Sequence, residues 1–136
     1  MKVKLDEGAY MPTRAHETDA GLDLFSRDTK LVLGRNAETF DTGVHIQIPP
    51  GTAGVLISKS GLNVKYGITS TGLIDEGYTG SIRVKLYNNS NDAYIVQEGD
   101  KISQLVIVPV IRETLDLVEE LDGSDRGENG FGSSGR

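Results

Sequence analysis

Apolar and polar residues alternate along several short stretches of this chain, and this period of two residues limits the possible folds more than any other feature. The alternation is clearest at residues 44–48 and 81–87, while residues 53–57 and 102–110 are denser apolar runs. A period of two places every second side chain on one face of a β-strand, and a short dense run is typical of a more buried strand. Turn-forming residues separate these runs at intervals of about 8–12 residues, which favours an all-β sandwich or jelly roll.

One segment departs from this pattern. Residues 60–66 are predicted to form one or two helical turns, with Ser60 as the capping residue. The chain has 136 residues, which is enough for one domain with a single core. A site that needs more walls than such a domain offers must take them from another copy of the chain. The absence of Cys excludes disulfides, thiolate metal sites and Cys nucleophiles.

The charge of the chain limits its partners. There are 20 Asp and Glu residues against 14 Lys and Arg residues, for a net charge of −6. We therefore expect no general electrostatic binding to nucleic acid or to an anionic membrane. Phosphate binding would need local loops and a divalent cation. No run reaches the roughly 18–20 apolar residues of a membrane span, and the N-terminus has no apolar signal core, so a cytoplasmic location is expected.

The composition changes after Leu121. Residues 122–136 contain five Gly, three Ser and a single aromatic residue, Phe131. Such a segment buries too little apolar surface to hold itself in place, which is typical of a disordered tail. Its Arg, Ser hydroxyls and free backbone N–H groups around one ring also suit an arm that closes over an aromatic, phosphorylated ligand. We divide the chain into a β domain, residues 1–121, and an arm, residues 122–136.

Two early segments carry polar residues that each allow two interpretations. Asp23 lies between two leucines, so its carboxylate either faces solvent or is held at a site. Residues 58–62 follow an apolar strand with Ser-Lys-Ser-Gly-Leu, which forms either an anion site or an ordinary helix start. The spaced glycines of a Walker loop are missing from this segment.

Two later segments are similarly open. Asp75 is either part of a hairpin turn or a strand-end carboxylate that deprotonates a water, with Tyr78 close enough to pack on a sugar. Gln104 interrupts an apolar strand, so its amide must find partners, either backbone groups or a ligand. His16 lies in a polar loop and His45 on the polar face of a strand, and we assign neither a metal or catalytic role.

Taken in order, five segments resemble the motifs of the trimeric dUTPases: residues 20–24, 59–62, 72–80, 99–105 and 126–135. The resemblance covers essentially the whole chain. It implies a homotrimeric β jelly roll with active sites at subunit interfaces and a mobile C-terminal arm. It also implies hydrolysis of dUTP to dUMP and pyrophosphate with Mg²⁺, which limits uracil incorporation into DNA and supplies dUMP for dTMP synthesis.

The resemblance implies a role for each matching residue. Asp75 would activate the water that attacks the α-phosphorus, Tyr78 would pack beneath the deoxyribose and exclude a 2′-hydroxyl, and Asp23 would hold Mg²⁺ through water. The other implied substrate contacts are Lys59, Ser60 and Gly61 at the α- and β-phosphates, Gln104 in the phosphate and metal-water network, Thr71 and Gly72 at the uracil edge, Phe131 and Gly132 at the base, and Arg126, Ser133 and Ser134 at the γ-phosphate.

The chain departs from the family pattern in three places. Lys59 stands where the family usually has Arg, which keeps the charge but loses the bidentate fork. Asn129 replaces a Gly and Ser134 a Thr, which are mild changes, since Asn tolerates left-handed backbone and Ser keeps the hydroxyl. Residues 67–71 form a slightly shorter segment, which leaves the uracil-contacting residues of this region open.

Two other functions compete with this interpretation. A dCTP deaminase shares the fold and much of the third motif but requires a Glu in the next strand, where this chain has Lys85. Because Lys cannot act as that carboxylate, we predict no deamination. A non-enzymatic jelly-roll module would make Asp75 a mere turn residue and would hydrolyse no nucleotide.

Overall fold

The predicted β architecture is present. The computed structural model describes residues 1–135 and places antiparallel strands and one short helix in the following order: β1 (Val3–Leu5), β2 (Leu22–Phe25), β3 (Lys30–Val32), β4 (Ala37–Asp41), β5 (Val44–Ile46), β6 (Thr52–Ile57), α1 (Ser60–Tyr66), β7 (Ile68–Thr69), β8 (Thr71–Ile74), β9 (Arg83–Asn88), β10 (Tyr94–Val96) and β11 (Lys101–Pro109). All four apolar runs of the sequence correspond to strands.

The strands form four open sheets. The largest has the order β2-β11-β6-β8, a second has the order β4-β9-β7, and β1 pairs with β5 and β3 with β10. Each pairing is antiparallel. In the largest sheet β8 is an edge strand whose register sets Leu56 opposite Gly72 and Ile57 opposite Thr71. This register places the polar segment after β6 beside the start of β8.

The core follows directly from the period of two. Along β9, Val84 and Leu86 are buried while Arg83 and Lys85 face outward. Phe40 and Leu24 are fully buried in the same cluster of apolar side chains. Burying an apolar side chain of this size stabilises the fold by about 1.5–3 kcal/mol. The alternation thus decides which β9 side chains pack in the core and which face outward.

The helix begins at the predicted residue but its cap is different. Lys59 is the N-cap residue, with extended backbone at φ −69° and ψ 124°, and no side chain caps the helix. Ser60 is the first helical residue, so its prediction as the cap is wrong. Gly67 ends the helix with φ 67°, a left-handed conformation that Gly adopts without steric cost. None of the described residues forms a helix long and apolar enough to cross a membrane.

The chain leaves the folded body after β11. The last backbone hydrogen bond to the body runs from the N–H of Val110 to the carbonyl of Gly51, at 3.0 Å. Side chains from residue 109 to residue 135 are exposed, and Leu117 is 100% exposed. The predicted boundary between residues 121 and 122 stays a prediction, and the final residue of the predicted arm, Arg136, lies outside the described residues.

Candidate active site

Asp75 lies at the rim of a pocket formed by the edge strand β8. The strand ends at Ile74, and the chain then turns, with the N–H of Tyr78 donating to the carbonyl of Asp75 at 3.0 Å. The pocket has a volume of about 280 Å³ and is open to solvent. We call it the Asp75 pocket; its walls are Leu56, Thr71, Gly72, Leu73, Ile74, Asp75, Tyr78, Ile82, Arg83 and Lys85.

The ring of Tyr78 is held against the backbone that follows it. Its hydroxyl donates to the carbonyl of Ser81 at 2.9 Å. A side chain at Gly80 would overlap the tyrosine ring, so the close approach of the ring requires glycine there. Tyr78 is therefore a fixed wall of the Asp75 pocket, although its side chain is half exposed.

Contacts from outside hold residues 75–81, which we call the 75–81 loop. The Glu76 carboxylate accepts a hydrogen bond from the N–H of Gly51 at 3.1 Å and one from Arg112 at 2.8 Å. Both bonds lower the pKa of Glu76 below its ordinary value, and the bond from Gly51 has the larger effect. On the other side of Tyr78, the carbonyl of Thr79 lies 2.8 Å from Nδ1 of His45.

Asp23 belongs to a second group of polar side chains. It is only 4% exposed, and its two oxygens face two lysines, with Oδ1 2.5 Å from Nζ of Lys59 and Oδ2 2.8 Å from Nζ of Lys101. Burial favours the protonated acid, but the hydrogen bonds and charges of Lys101 and Lys59 outweigh it and lower the pKa of Asp23. Of the two sequence interpretations, the solvent-facing carboxylate is wrong.

Gln104 completes this second group, which we call the Asp23 group: Asp23, Lys59, Lys101 and Gln104. Gln104 lies opposite Asp23 in the pairing of β11 with β2. Its amide donates to the carbonyl of Ser58 at 3.1 Å, so the expected backbone partner exists. A Cβ at Gly21 would stand 2.7 Å from Oε1 of Gln104, so a larger residue there would displace the end of the Gln104 side chain. Ser60 and Gly61 follow at the exposed start of α1.

Three serine hydroxyls form hydrogen bonds that link the strand ends next to the Asp23 group. Ser58 Oγ donates to the carbonyl of Ser70 at 3.0 Å and accepts from its N–H at 2.9 Å. Ser70 and Ser103 share a hydroxyl contact of 2.8 Å, and Ser103 donates to the carbonyl of Ile57 at 3.2 Å. These bonds join the end of β6, the start of β8 and β11. Sequence reasoning missed them because no local pattern links the three serines.

The described residues of the predicted arm, 122–135, form only local hydrogen bonds. Arg126 Nε donates to the carbonyl of Asn129 at 2.8 Å, and the N–H of Ser133 donates to the carbonyl of Gly130 at 3.1 Å. The ring of Phe131 is fully exposed. Gly132 and Ser134 are exposed in the same turn-rich segment. Within residues 1–135, no hydrogen bond joins residues 113–135 to the folded body.

A single chain therefore holds the predicted site residues in three separate places. The walls of the Asp75 pocket include Thr71 and Tyr78 but neither Lys59 nor Gln104. Residues 122–135 of the arm form no hydrogen bond to either group. Sequence analysis assigned no site role to Lys101, which shares a motif with Gln104, or to the pocket residues Arg83 and Lys85, although it named Lys85 as the replacement of a deaminase Glu. The period of two along β9 was the signal for the last pair, since it puts both on one face.

The donors around Asp23 limit what metal the free chain can hold. No cluster of three or more His, Cys, Asp or Glu side chains suited to a metal exists within residues 1–135. Asp23 is one carboxylate, and both of its oxygens contact ammonium groups. Mg²⁺ usually keeps several waters and binds one or two carboxylates together with substrate phosphates. The donor set fits a hydrated ion that arrives with a polyphosphate, not a metal cage within the chain.

Comparisons with known proteins agree on one family. The dUTPase family model matches residues 7–135. The deoxyuridine 5′-triphosphate nucleotidohydrolase of Clostridium acetobutylicum is 42% identical over 135 residues, covering 97% of this chain and 93% of that protein. The protein of the same name from Tropheryma whipplei strain Twist is 44% identical, with coverages of 97% and 93%.

Solved structures agree with the sequence comparisons. The dUTPase of Staphylococcus bacteriophage 80alpha with dUpNHpp has a TM-score of 0.92 and 35% identity, and the match covers 99% of this chain and 98% of that one. A variant dUTPase of S. aureus phage phi11, described for its structural Mg(II) ion, has a TM-score of 0.81 and 35% identity, with coverages of 88% and 96%. These matches confirm the predicted jelly-roll fold.

Proposed function

The chain belongs to the dUTPase family, and from that premise we propose that it hydrolyses dUTP to dUMP and pyrophosphate in a Mg²⁺-assisted reaction with a water activated by Asp75. The observation that carries the proposal is the Asp75 pocket, in which an exposed carboxylate and an aromatic ring are fixed at the end of one strand. The bound analogue dUpNHpp in the phage 80alpha relative supports a uracil deoxynucleoside triphosphate as the ligand.

Asp75 is the general base of this proposal. No hydrogen bond from another described residue occupies its carboxylate, so the group is available to a water. It takes a proton from the water, the water oxygen forms a bond to the α-phosphorus, and the bond from that phosphorus to the oxygen bridging to the β-phosphorus breaks. The products are dUMP and pyrophosphate. Positioning of the attacking water accounts for the need for a fixed carboxylate.

The edge position of β8 supports base recognition by its backbone. The strand pairs with β6 on one side and with no other described strand. Backbone N–H and C=O groups on the open side, around Thr71 and Gly72, are free to bind the uracil edge. A base with the wrong donor pattern leaves such groups unpaired and is strongly disfavoured. Tyr78 forms the wall against the deoxyribose, where a 2′-hydroxyl would collide.

The Asp23 group and the start of α1 are proposed to bind the phosphates. Lys59, Ser60 and Gly61 supply an ammonium, a hydroxyl and backbone N–H groups to the α- and β-phosphates, and Gln104 supplies its amide. Lys59 also contacts Asp23, so its charge is held at a defined place despite the loss of the arginine fork. When bound with the triphosphate, Mg²⁺ would supply neutralising charge to the phosphate oxygens, with Asp23 accepting hydrogen bonds from its waters.

The separation of the three groups supports a site shared among copies of the chain. We propose a homotrimer with its sites at the subunit interfaces, as the resemblance implies, and we place the Asp75 pocket of one subunit opposite the Asp23 group of another. The arm then closes over the nucleotide, with Phe131 and Gly132 at the uracil and Arg126, Ser133 and Ser134 at the γ-phosphate. The exposed, locally bonded state of the arm supports this role, since nothing in the body competes for these side chains. The cytoplasmic location and the role in dTMP supply stay predictions.

The deaminase alternative is disfavoured by the pocket wall. Lys85 lines the Asp75 pocket at the strand position that requires a Glu in dCTP deaminases. Its Nζ lies 5.2 Å from the ring centroid of Tyr87, on the outer face of β9. No carboxylate replaces it among the pocket walls other than Asp75 itself.

A substrate panel tests the proposal. Pyrophosphate release should be Mg²⁺-dependent and restricted to dUTP when dUTP, dTTP, dCTP and UTP are compared at equal concentration. Ammonia release from dCTP would support the deaminase instead. An absence of release from all four nucleotides, in a folded protein, would favour the non-enzymatic module.

A further inference from the structure

We propose that His45 is a positioning residue for the 75–81 loop: as an imidazolium it holds the Thr79 carbonyl, keeps Tyr78 in place and so maintains the preference for deoxyribose over ribose. The inference rests on the proposed dUTP hydrolysis. It goes beyond that function because neither the sequence motifs nor the proposed mechanism gives this histidine a role.

Only a doubly protonated ring can donate hydrogen bonds to both partners of His45. Nδ1 lies 2.8 Å from the carbonyl oxygen of Thr79, and Nε2 lies 3.0 Å from Oδ2 of Asp6. Both partners are acceptors. A neutral imidazole has one N–H and satisfies only one of them, whereas an imidazolium donates to both. The side chain is 20% exposed, so water does not easily replace either partner.

The fold brings both partners to the ring through strand β5. Val44 and Ile46 point into the core, so His45 points to the opposite face. Strand β1 pairs with β5, and the N–H of Asp6 donates to the carbonyl of Gly43 at 2.9 Å, which fixes the carboxylate beside the ring. The N–H of Ile82 donates to the carbonyl of Val44 at 2.8 Å, so the end of the 75–81 loop also lies against β5.

This contact lies next to the wall of the nucleoside pocket. Thr79 directly follows Tyr78, whose ring is held by its bond to Ser81. Glu76 anchors the loop before the tyrosine, and His45 anchors it after the tyrosine. Loss of the second anchor lets the backbone at Thr79 move, and the ring of Tyr78 moves with it. A displacement of this kind affects a sugar contact more than the overall fold.

Several charges surround the ring. Asp6 favours the imidazolium, Lys4 across the strand pair opposes it, and Lys2 lines the same surface pocket as Lys4. The charge of Arg27 helps to lower the pKa of Asp6. The loop contributes the neutral carbonyl of Thr79. The bond to Thr79, followed by that to Asp6, raises the pKa of His45 above 6.5 despite partial burial.

The sign of the pH effect follows from this direction. A histidine whose pKa is raised by folding stabilises the structure at pH values below its unfolded pKa, and this contribution is lost as the pH rises through the folded pKa. The anchor at Thr79 should therefore be present below pH 6.5 and should weaken as the pH rises through the folded pKa of His45, which lies above that value, because the neutral ring has one N–H for both Thr79 and the charged Asp6.

The ratio of kcat/KM for dUTP to kcat/KM for UTP tests the inference, since ionisation of the shared base cancels in it. In the wild-type protein this ratio should fall as the pH rises through the pKa of His45. At pH values below 6.5, where the wild-type ring is charged, His45→Gln should lower the ratio about threefold to tenfold. It should also flatten the pH dependence of the ratio, because an amide donates to Thr79 without a charge. Asp6→Asn should move the midpoint of the fall to lower pH.

His16→Gln is the matched control. His16 also faces a carboxylate, with Nδ1 3.4 Å from Asp19, but its side chain is 80% exposed and it does not contact the loop. This variant should keep the wild-type ratio at every pH. Identical ratios in His45→Gln and the wild-type protein across the pH range would reject the positioning role.

An NMR titration separates this inference from the proposed function. The amide signal of Gly80, in the peptide unit that contains the Thr79 carbonyl, should titrate with the same midpoint as the His45 ring. A Gly80 signal that does not change at the titration midpoint of His45 would overturn the inference, whether or not the protein hydrolyses dUTP. If the Gly80 amide and the His45 ring titrate together in a protein that releases no pyrophosphate, the role of His45 as a loop anchor stands and the proposed dUTP hydrolysis is rejected.

Discussion

The Asp75 pocket and the arm carry residues for the same proposed site, yet they differ in how the chain holds them. Asp75 and Tyr78 are held before any ligand binds by strand pairing, by a turn and, through their neighbours Glu76 and Thr79, by hydrogen bonds to distant segments. Residues 113–135 are exposed and bond only among themselves. Ordering a residue costs about 1–2 kcal/mol of conformational entropy, so only contacts with a ligand or another subunit can offset the ordering of the arm. We therefore assign catalysis to the Asp75 pocket, which is formed before the ligand binds, and closure over the nucleotide to the arm, which is not anchored to the body.

The largest expected effect tests the preformed region. Asp75→Asn keeps the shape of the side chain but removes the base, so kcat should fall about 10²–10⁴-fold while dUTP still binds. A fixed-time assay of pyrophosphate release measures kcat, and titration calorimetry measures the binding of dUTP. Glu76→Gln, at the neighbouring carboxylate, is the control and should cost far less. Near wild-type turnover in Asp75→Asn would show that Asp75 is not the general base.

Removal of the arm tests the other region. A chain ending at Leu121 should keep the Tm and the oligomeric state of the full chain, because residues 122–135 of the removed segment form no hydrogen bond to the body. Its kcat/KM for dUTP should fall about 100-fold or more, since the nucleotide is no longer enclosed. A full-length chain with the arm residues in scrambled order is the control for composition and should be equally impaired. Dissociation of the assembly on truncation would show that the arm has a structural role.

A single arm residue sharpens the comparison. Phe131→Ala should raise the KM for dUTP about tenfold, within the range measured for loss of one base-stacking aromatic ring. The Tm should not change, because the ring is fully exposed. Phe25→Ala, at a ring that packs 5.9 Å from Tyr10 in the body, should show the reverse pattern and destabilise the fold. An unchanged KM in Phe131→Ala would exclude the ring from the base site.

The smallest effect concerns acid stability of the Asp23 group. Because folding lowers the pKa of Asp23, its contribution to stability is present above the ordinary value of 3.8 and is lost as the pH falls through the folded pKa. Asp23→Asn should destabilise the protein by about 1–3 kcal/mol at neutral pH, since two lysines lose their partner. The difference should shrink below pH 3.8 in urea unfolding curves. Asp125→Asn, in the arm, should leave the free energy of unfolding unchanged at both pH values.

The success and failure of sequence reasoning follow the range of the interactions. Sequence reasoning predicted strands β6, β9 and β11 and the position of α1, because periodicity and turn residues are local signals. The cap of α1 was predicted wrongly, since Ser60 already has helical backbone and Lys59 is drawn to Asp23. His45 was placed on the right face of its strand, but its partners were not foreseeable because they come from Asp6 and Thr79.

The sequence by itself determined the fold class, the family and the residues available for chemistry, because alternation, turns and ordered motifs are written along the chain. Only the tertiary structure decided which of them meet. Asp23 and Lys59 are 36 positions apart, and His45 and Thr79 are 34 apart. Such pairs depend on strand register, where a shift of one residue turns every side chain to the other face. For the same reason only the folded chain revealed that its proposed site is held in three separate pieces.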